Sequence, residues 1–317
     1  MRIIYLCPDY TVPSGGIKRL YMHVKILVES GYNAHLLHFK RDFKPVWFDI
    51  AVPTLYLSEQ PNFYPEDTIV IPESQPLIMR ELRNLPVKKV AIALSFIYLF
   101  EKMPLSENWS DYGIDWVMAN NKSIADFIRW SMHIQHVYII GSSIDKAMFY
   151  FEPEVKKLQV AYMAKKDTLS PVLEKILKAK ALRYQGIEFV RIENLPLLEY
   201  ARVLRESGIF LTTSTSEGYP RPILEAMACG CVCIGFDGVG ARDFIVDSGP
   251  HHNFIRSDGA NFIDLTHKLV WLLEKLHDKD PFIDTIRQNG LSVAARFTPE
   301  HEKESILAFW KAYLAQV

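Results

Sequence analysis

The feature that most constrains the fold is an alternation of short apolar runs with segments of helical periodicity, which starts at the first residues and continues through most of the chain. Such alternation is typical of parallel strands joined by crossover helices. We therefore predict an α/β fold with doubly wound parallel sheets. The predicted strands fall at 3–6, 34–39, 68–71, 89–94, 116–119 and 137–140 in the first half, and at 158–163, 187–192, 209–212 and 232–236 in the second.

Chain length and helix placement predict two domains. At 317 residues the chain exceeds the size at which one hydrophobic core usually stops growing. The segment 145–156 has no clear periodicity, so we place the boundary there and predict domains at 1–150 and 151–317. The predicted helices are 18–29, 198–205, 222–228, 261–277, 280–295 and 299–314. The last, at about 299–316, carries an apolar stripe that packs either on its own domain or back on the first.

The charge balance excludes several classes of partner. The chain has 36 basic and 37 acidic residues, a formal net charge of −1, so no global field attracts nucleic acid or an anionic surface. No apolar run approaches the roughly 20 residues that span a bilayer, and the first residues are too short for a signal peptide. We expect a cytoplasmic protein without nucleic-acid partners or a transmembrane segment.

The four cysteines do not predict a metal site. Cys229, Cys231 and Cys233 are close together and Cys7 is remote, while no second cysteine pair or nearby histidine pair completes a ligand set. We expect small buried thiols in a reducing compartment.

The segment 209–236 reads strand, loop, helix, glycine and strand, and it carries the most chemical information. Pro220 and Pro222 are tolerated in the first turn of the helix, and we expect the free amides there to suit a diphosphate. Glu217 lies on the loop, and Glu225 lies about two turns inside the helix. Carboxylates accept hydrogen bonds from the hydroxyls of sugars. The alternative for Glu225 is an ion pair with Arg221 on a solvated face.

The stretch 216–230, Ser-Glu-Gly-Tyr-Pro-Arg-Pro-Ile-Leu-Glu-Ala-Met-Ala-Cys-Gly, resembles the Glu-x7-Glu motif of group 1 glycosyltransferases, a retaining family of GT-B architecture. The resemblance implies two Rossmann-like domains facing a central cleft, with an acceptor-side first domain and a nucleotide-sugar-binding second domain. By motif position it assigns Glu217 to the transferred sugar as a catalytic group and Glu225 to the ribose. Gly218, Tyr219 and Pro220 would also contact the donor.

Weaker similarity extends along the rest of the chain. Gly15 and Gly16 resemble the glycine loop of the family's first domain, for which a plain turn is the alternative. Lys165 and Lys166 follow a strand where the family places a base on the diphosphate, so both are predicted to be catalytic unless they form a solvated charge pair. Glu193 falls where the nucleobase meets the backbone.

Two departures from the family pattern concern the basic contacts to the diphosphate and the chemistry of the acceptor. Position 170 is Ser170 where the family continues with a second lysine, and Ser95-Phe96-Ile97-Tyr98 replaces a first-domain segment that often contains a histidine. Glu73, His251 and His252 could approach the cleft, but each is expected to be an ordinary surface residue.

The resemblance implies transfer of a sugar, with retention, from a nucleotide diphosphate donor to a glycan or other hydroxyl acceptor, without a metal or other cofactor. A role in cell-surface polysaccharide or glycoconjugate synthesis follows, with a glycan or lipid-linked acceptor and contact with the inner membrane surface. Two alternatives remain: a sugar-nucleotide epimerase of the same fold, and a catalytically silent nucleotide-sugar-binding module. Donor sugar, base, acceptor, linkage and oligomeric state are not predicted.

Overall fold

The computed structural model describes residues 1–165 and 167–316. The chain divides into two compact units, one formed by Met1–Gly141 with the segment that begins at Glu300, the other by Ser142–Pro299. Residues 142–150 lie in the second unit, which differs from the predicted boundary. The C-terminal helix lies in the first unit, which is one of the two packings that the sequence left open. Each unit has its own parallel sheet, which confirms the α/β prediction.

The strands of both sheets, in chain order, are β1 (Ile3–Leu6), β2 (Ala34–His38), β3 (Thr54–Tyr56), β4 (Thr68–Pro72), β5 (Lys88–Ala93), β6 (Ile114–Ala119), β7 (His136–Ile139), β8 (Lys157–Met163), β9 (Glu188–Ile192), β10 (Ser207–Thr212), β11 (Val232–Gly235) and β12 (Phe254–Arg256). The α-helices are α1 (Gly15–Glu29), α2 (Pro76–Glu81), α3 (Tyr98–Glu101), α4 (Lys122–Met132), α5 (Ser170–Lys180), α6 (Leu197–Glu206), α7 (Arg221–Ala228), α8 (Phe262–His277), α9 (Pro281–Ala294) and α10 (Pro299–Leu314). Among the described residues, no helix is both long enough and apolar enough to span a membrane.

The first sheet has seven strands in the order β3-β2-β1-β4-β5-β6-β7, all paired in parallel. From β1 the chain moves outward to β2 and β3, then returns to β4 on the other side of β1. The strand order therefore reverses between β1 and β4. In doubly wound sheets the carboxyl ends of such a strand pair flank a crevice where ligands bind.

The second sheet follows the same plan with five parallel strands in the order β12-β11-β10-β8-β9. Here the chain passes from β8 to β9 on one side and then to β10 on the other. The order reverses between β8 and β10, so the loops that follow these two strands occupy the corresponding position.

The apolar stripe of α10 is part of the core of the first unit. Phe309, Trp310 and Tyr313 are almost completely buried. The indole Nε1 of Trp310 donates a hydrogen bond to the hydroxyl of Tyr5 on β1 (3.2 Å), and the ring of Phe309 lies edge-on to Trp116 of β6. Burial of three large aromatic side chains fixes the end of the chain on the face of this sheet.

Candidate active site

A half-buried carboxylate joins the two loops at the point where the order of the second sheet reverses. Asp167 follows β8, and its Oδ1 accepts a hydrogen bond from the hydroxyl of Thr213, the residue that follows β10 (2.6 Å). The same oxygen accepts from the amides of Leu169 and Ser170 at the start of α5 (both 2.9 Å). Asp167 therefore caps α5 and fastens the two loops together. Sequence analysis missed it, although an aspartate just before a Ser-Pro helix start is a capping signal.

Glu217, the first glutamate of the motif, is held by its backbone and by its side chain. Its amide donates to the carbonyl of Gly238 (2.8 Å), and its own carbonyl accepts from the amide of Gly240 (3.0 Å). The hydroxyl of Ser214 donates to its Oε1 (2.9 Å). Because both backbone and carboxylate are fixed, this half-buried group is oriented before any ligand arrives.

The segment 237–241, which follows β11, is a part of the site that sequence analysis missed. A Cβ on Gly240 would lie 2.3 Å from the carbonyl oxygen of Gly218, so only glycine permits this approach. Asp237 accepts from the amide of Val239 and from Nε of Arg242 (both 2.8 Å). Burial raises the pKa of Asp237, but the bonds from Arg242 and Val239 outweigh it and hold the pKa below its usual value. The Asp-Gly-Val-Gly sequence after a strand was the available signal.

The start of α7 differs from the prediction of free amides. The amide of Arg221 donates to the carbonyl of Tyr219 (2.9 Å), and the amide of Ile223 donates to that of Pro220 (3.0 Å). Pro222 has no amide hydrogen. These three positions of the first turn are therefore closed to a diphosphate, and the prediction of free amides was wrong for them.

The three predicted donor contacts before α7 lie in the turn that Glu217 begins. Gly218 and Pro220 are buried, and Pro220 is the N-cap residue of α7. Tyr219 is half-buried, with its ring edge-on to Phe244 at 6.1 Å between centroids. The turn brings these residues together with Glu217, but their contacts with a donor stay a prediction.

Glu225 is buried, with 7% of its surface exposed. Its Oε2 accepts from the hydroxyl of Tyr200 on α6 (2.7 Å), and its Oε1 lies 3.4 Å from Nη2 of Arg221. Burial and then the negative charge of Glu225 raise the pKa of Tyr200 well above its usual value, so the phenol keeps its proton. The ion pair with Arg221 is present, but on a buried rather than a solvated face. Each carboxylate oxygen retains a second lone pair for a hydroxyl.

Lys165 and Glu193 follow β8 and β9, at the carboxyl edge of the same sheet. Lys165 is exposed in the turn after β8, whereas Lys166 lies outside the described residues. Glu193, just after β9, is exposed and forms an ion pair with Arg191 (2.9 Å). Ser170, at the position without the family's lysine, is fully buried at the start of α5.

Gly15 and Gly16 belong to the first unit and begin α1, so the prediction of a loop there with a helix from residue 18 was wrong. The helix starts after Ser14, whose carbonyl accepts from the amide of Lys18 (3.2 Å). A Cβ on Gly16 would lie 3.1 Å from Cδ1 of Leu94, which shows a close approach to the loop after β5.

The remaining candidates are divided between core and surface. Glu73 was expected at the surface, but it is buried with 3% of its surface exposed. His251 is exposed, and the ring of half-buried His252 lies 3.1 Å from the carbonyl oxygen of Phe254. Within 1–165 and 167–316, no group of three His, Cys, Asp or Glu side chains could hold a metal ion.

Comparison with known proteins adds two kinds of similarity. Residues 152–275 match the family model described as Glycosyl transferases group 1. An α-1,6-glucosyltransferase of Actinobacillus pleuropneumoniae is 23% identical over 246 residues, which cover 74% of this chain and 72% of that protein.

Solved structures resemble the whole chain. Sucrose-phosphate synthase from Thermosynechococcus elongatus aligns over 100% of both chains with a TM-score of 0.72 and 11% identity. Anabaena HepE in complex with UDP-glucose aligns over 100% of both chains with a TM-score of 0.67 and 13% identity. At these identities the similarity establishes the fold.

Proposed function

Because the chain is a glycosyltransferase of group 1 with the GT-B fold, we propose that it transfers glucose from UDP-glucose to a glycan hydroxyl with retention of the anomeric configuration. The observation that carries the proposal is the fixed carboxylate of Glu217 beside the strand-order reversal of the second sheet. Glucose is supported by the 23% identical α-1,6-glucosyltransferase, and UDP by the ligands of the HepE structures.

In this proposal the two glutamates orient the donor. The carboxylate of Glu217 accepts hydrogen bonds from hydroxyls of the transferred sugar, and Glu225 accepts from the ribose. The bond between the anomeric carbon and the diphosphate oxygen breaks, and the acceptor oxygen bonds to that carbon on the same face while its proton passes to the departing diphosphate. Lys165, with Lys166, offsets the negative charge that develops on the departing UDP, so that no metal is needed.

The acceptor in this proposal is a glycan, free or lipid-linked, made for the cell surface. Contact with the inner membrane surface belongs to the same proposal, because a lipid-linked acceptor would lie there. The linkage of the similar enzyme suggests the 6-hydroxyl of a glucose residue as the attacking group. Methyl α-D-glucoside is therefore the simplest acceptor probe.

The first test is a thermal-shift series with UDP-glucose, UDP-N-acetylglucosamine and GDP-mannose. We expect UDP-glucose to raise the Tm most, because a ligand that binds only the folded chain stabilises it. Equal shifts with GDP-mannose, or no shift with any of the three, would contradict the proposed donor.

The second test is product analysis by NMR with UDP-glucose and methyl α-D-glucoside. The proposal predicts an α-linked disaccharide and free UDP. A β-linked product would refute retention, and an isomerised nucleotide sugar formed without acceptor would establish the epimerase alternative. Binding without any turnover across a panel of glucosides would favour the silent module.

A further inference from the structure

A chain of three hydrogen-bonded side chains lies beside the strand-order reversal of the first sheet. Asp9 follows β1, His38 ends β2, and Tyr21 lies on α1. Nδ1 of His38 lies 2.9 Å from Oδ1 of Asp9, and Nε2 of the same ring lies 2.8 Å from the hydroxyl oxygen of Tyr21. Because β1 is one strand of the reversal, the segment 8–14, here called the β1 loop, flanks the crevice where doubly wound sheets bind ligands.

The partners of His38 define the direction of these hydrogen bonds. A carboxylate only accepts, so Nδ1 of His38 carries a proton and donates it to Asp9. Burial lowers the pKa of His38, although the bond to Asp9 opposes the decrease, so the ring is neutral and its Nε2 accepts from the hydroxyl of Tyr21. Both nitrogens of this buried ring therefore have partners, and a fully satisfied polar network favours a single arrangement of its members.

Asp9 also holds the backbone that follows β2. Its Oδ1 accepts from the amide of Phe39 (3.1 Å), and its Oδ2 accepts from the amide of Lys40 (2.9 Å). Together with the bond from His38, these contacts tie the start of the β1 loop to the end of β2. At the other end of the β1 loop, Ser14 is the N-cap residue of α1. The β1 loop is thus fixed at both of its ends.

The middle of the β1 loop is exposed, from residue 10 to residue 13. Tyr10 has 47% and Val12 has 49% of its surface exposed, and Thr11 adds a hydroxyl between them. Among the described residues, neither Tyr10 nor Val12 packs in the two hydrophobic clusters of the first unit. An exposed aromatic ring on a loop that a rigid scaffold positions is typical of a binding surface.

We propose that Tyr10 binds the acceptor sugar through the face of its ring, and that Asp9 is the positioning residue that holds the β1 loop for this contact. A sugar ring has an apolar face and hydroxyls at its edge, which match the aromatic ring and its polar phenol group. Residues 10–14 carry no charged side chain, so they suit a neutral sugar better than a diphosphate. The assignment to an acceptor rests on the proposed transferase function.

The first experiment tests the anchor by limited proteolysis of the full chain with chymotrypsin, which cuts after aromatic residues in exposed, mobile segments. We expect cleavage after Tyr10 to be at least about tenfold faster in Asp9→Ala than in the wild type, because the β1 loop loses its bonds to the end of β2. Asp9→Asn retains one acceptor oxygen and should show a smaller increase. Asp115→Ala, at an exposed position on β6 of the same unit, is the control. Equal cleavage in the wild type and Asp9→Ala, or a parallel increase at every cleavage site, would overturn the positioning role.

The second experiment tests the sugar contact by saturation-transfer NMR with methyl α-D-glucoside in the presence of UDP. We expect the signal of the glucoside to fall at least about fivefold in Tyr10→Ala and to persist in Tyr10→Phe, which keeps the ring. Tyr64→Ala is the matched control, because Tyr64 is 48% exposed and precedes β4 at the opposite edge of the same sheet. No signal with the wild type, or an equal signal with Tyr10→Ala, would overturn the contact.

The third experiment separates this inference from the proposed function. With UDP-glucose and methyl α-D-glucoside, Tyr10→Ala and Asp9→Ala should each raise the acceptor KM about tenfold and leave the KM for UDP-glucose within about twofold. A parallel rise in both KM values would overturn a role specific to the acceptor. A wild type that binds the glucoside but transfers no glucose would refute the proposed function and leave the sugar contact of Tyr10 in place.

Discussion

The two units use the same position of a doubly wound sheet in different ways. In the second unit the hydroxyl of Thr213 joins the two loops at the reversal by donating to Asp167, and within the loop after β10 the hydroxyl of Ser214 donates to Glu217. In the first unit the acid at the corresponding position, Glu73, is buried, and its amide donates to the carbonyl of Ile92 (3.0 Å). The second unit therefore holds its carboxylate half-exposed, whereas the first unit buries it.

The two carboxylates differ in their access to a ligand. A half-exposed carboxylate such as Glu217 is ready to accept hydrogen bonds from a sugar, and an exposed lysine, Lys165, lies at the same sheet edge for the diphosphate. Glu73 is buried with 3% of its surface exposed, so its carboxylate is less accessible to a ligand than that of Glu217.

The largest effect is expected from Glu217→Gln. The substitution keeps the shape but removes the charge that Ser214 orients, so we expect kcat for transfer from UDP-glucose to fall about 10²–10³-fold. The Tm should change little. Glu199→Gln, at an exposed position on α6, is the matched control. If Glu217→Gln kept the wild-type kcat, the carboxylate of Glu217 would not act directly on the donor.

The next effect is a change in stability with pH caused by Glu73. The folded pKa of about 7 lies above the ordinary 4.5, so between these values the folded chain keeps a proton that the unfolded chain has lost. The stability due to this carboxyl is therefore present below about 4.5 and is lost as the pH rises through 7. Relative to Glu73→Gln, the wild type should lose about 3 kcal/mol between pH 4.5 and 8, measured by denaturant unfolding. A constant difference would show that the acid is not buried as a proton-binding group.

Gly240→Ala tests how tightly the segment 237–241 closes on the turn of Glu217. Its Cβ would meet the carbonyl oxygen of Gly218 at 2.3 Å, so the backbone must shift. We expect a loss of about 2 kcal/mol in unfolding free energy and weaker binding of UDP-glucose. Gly186→Ala, where no atom lies within 4 Å of the new Cβ, is the control. Equal effects of the two variants would contradict a close contact between the segment 237–241 and the turn of Glu217.

Asp167→Ala leaves the amides of Leu169 and Ser170 and the hydroxyl of Thr213 without their acceptor. We expect a loss of about 1 kcal/mol in unfolding free energy and weaker UDP binding. In a double-mutant cycle with Thr213→Val the two changes should be non-additive, because the side chains form one hydrogen bond. Additive changes would mean that the loops are not coupled through this pair.

The smallest effect is expected from a chelator. The proposal assigns the leaving-group charge to lysine, and no acidic or histidine cluster suited to a metal occurs in the described part of the chain. EDTA should therefore leave the initial rate of transfer within about twofold. Loss of the rate that added Mg²⁺ restores would refute the metal-free reaction.

Sequence patterns predicted those parts of the molecule that depend on neighbouring residues. The alternation of apolar runs located β1 and β10 because buried parallel strands are apolar along their length. It missed β3 and β12, which lie at the sheet edges. Each has only three residues, too few to show an apolar periodicity. It also missed α4, although its N-cap Asn121 accepts from the amide of Ile124 (2.8 Å).

In the candidate site, too, the residues of a contiguous motif could be predicted and the contacts between distant segments could not. Glu217 and Glu225 could be predicted because both belong to one contiguous motif. The contact of Glu217 with Gly240 could not, since it depends on the pairing of segments that follow different strands. The burial of Glu73 depends on the strand order of the first sheet, which no local sequence pattern predicts.

The most direct test of a donor site around Glu217 is amide hydrogen exchange, measured segment by segment with and without UDP-glucose. The account predicts protection of amides 213–219, with Glu217, and of 237–241, and loss of that protection in Glu217→Gln. Protection confined to other segments, or equal protection in the variant, would contradict a donor site built around this carboxylate.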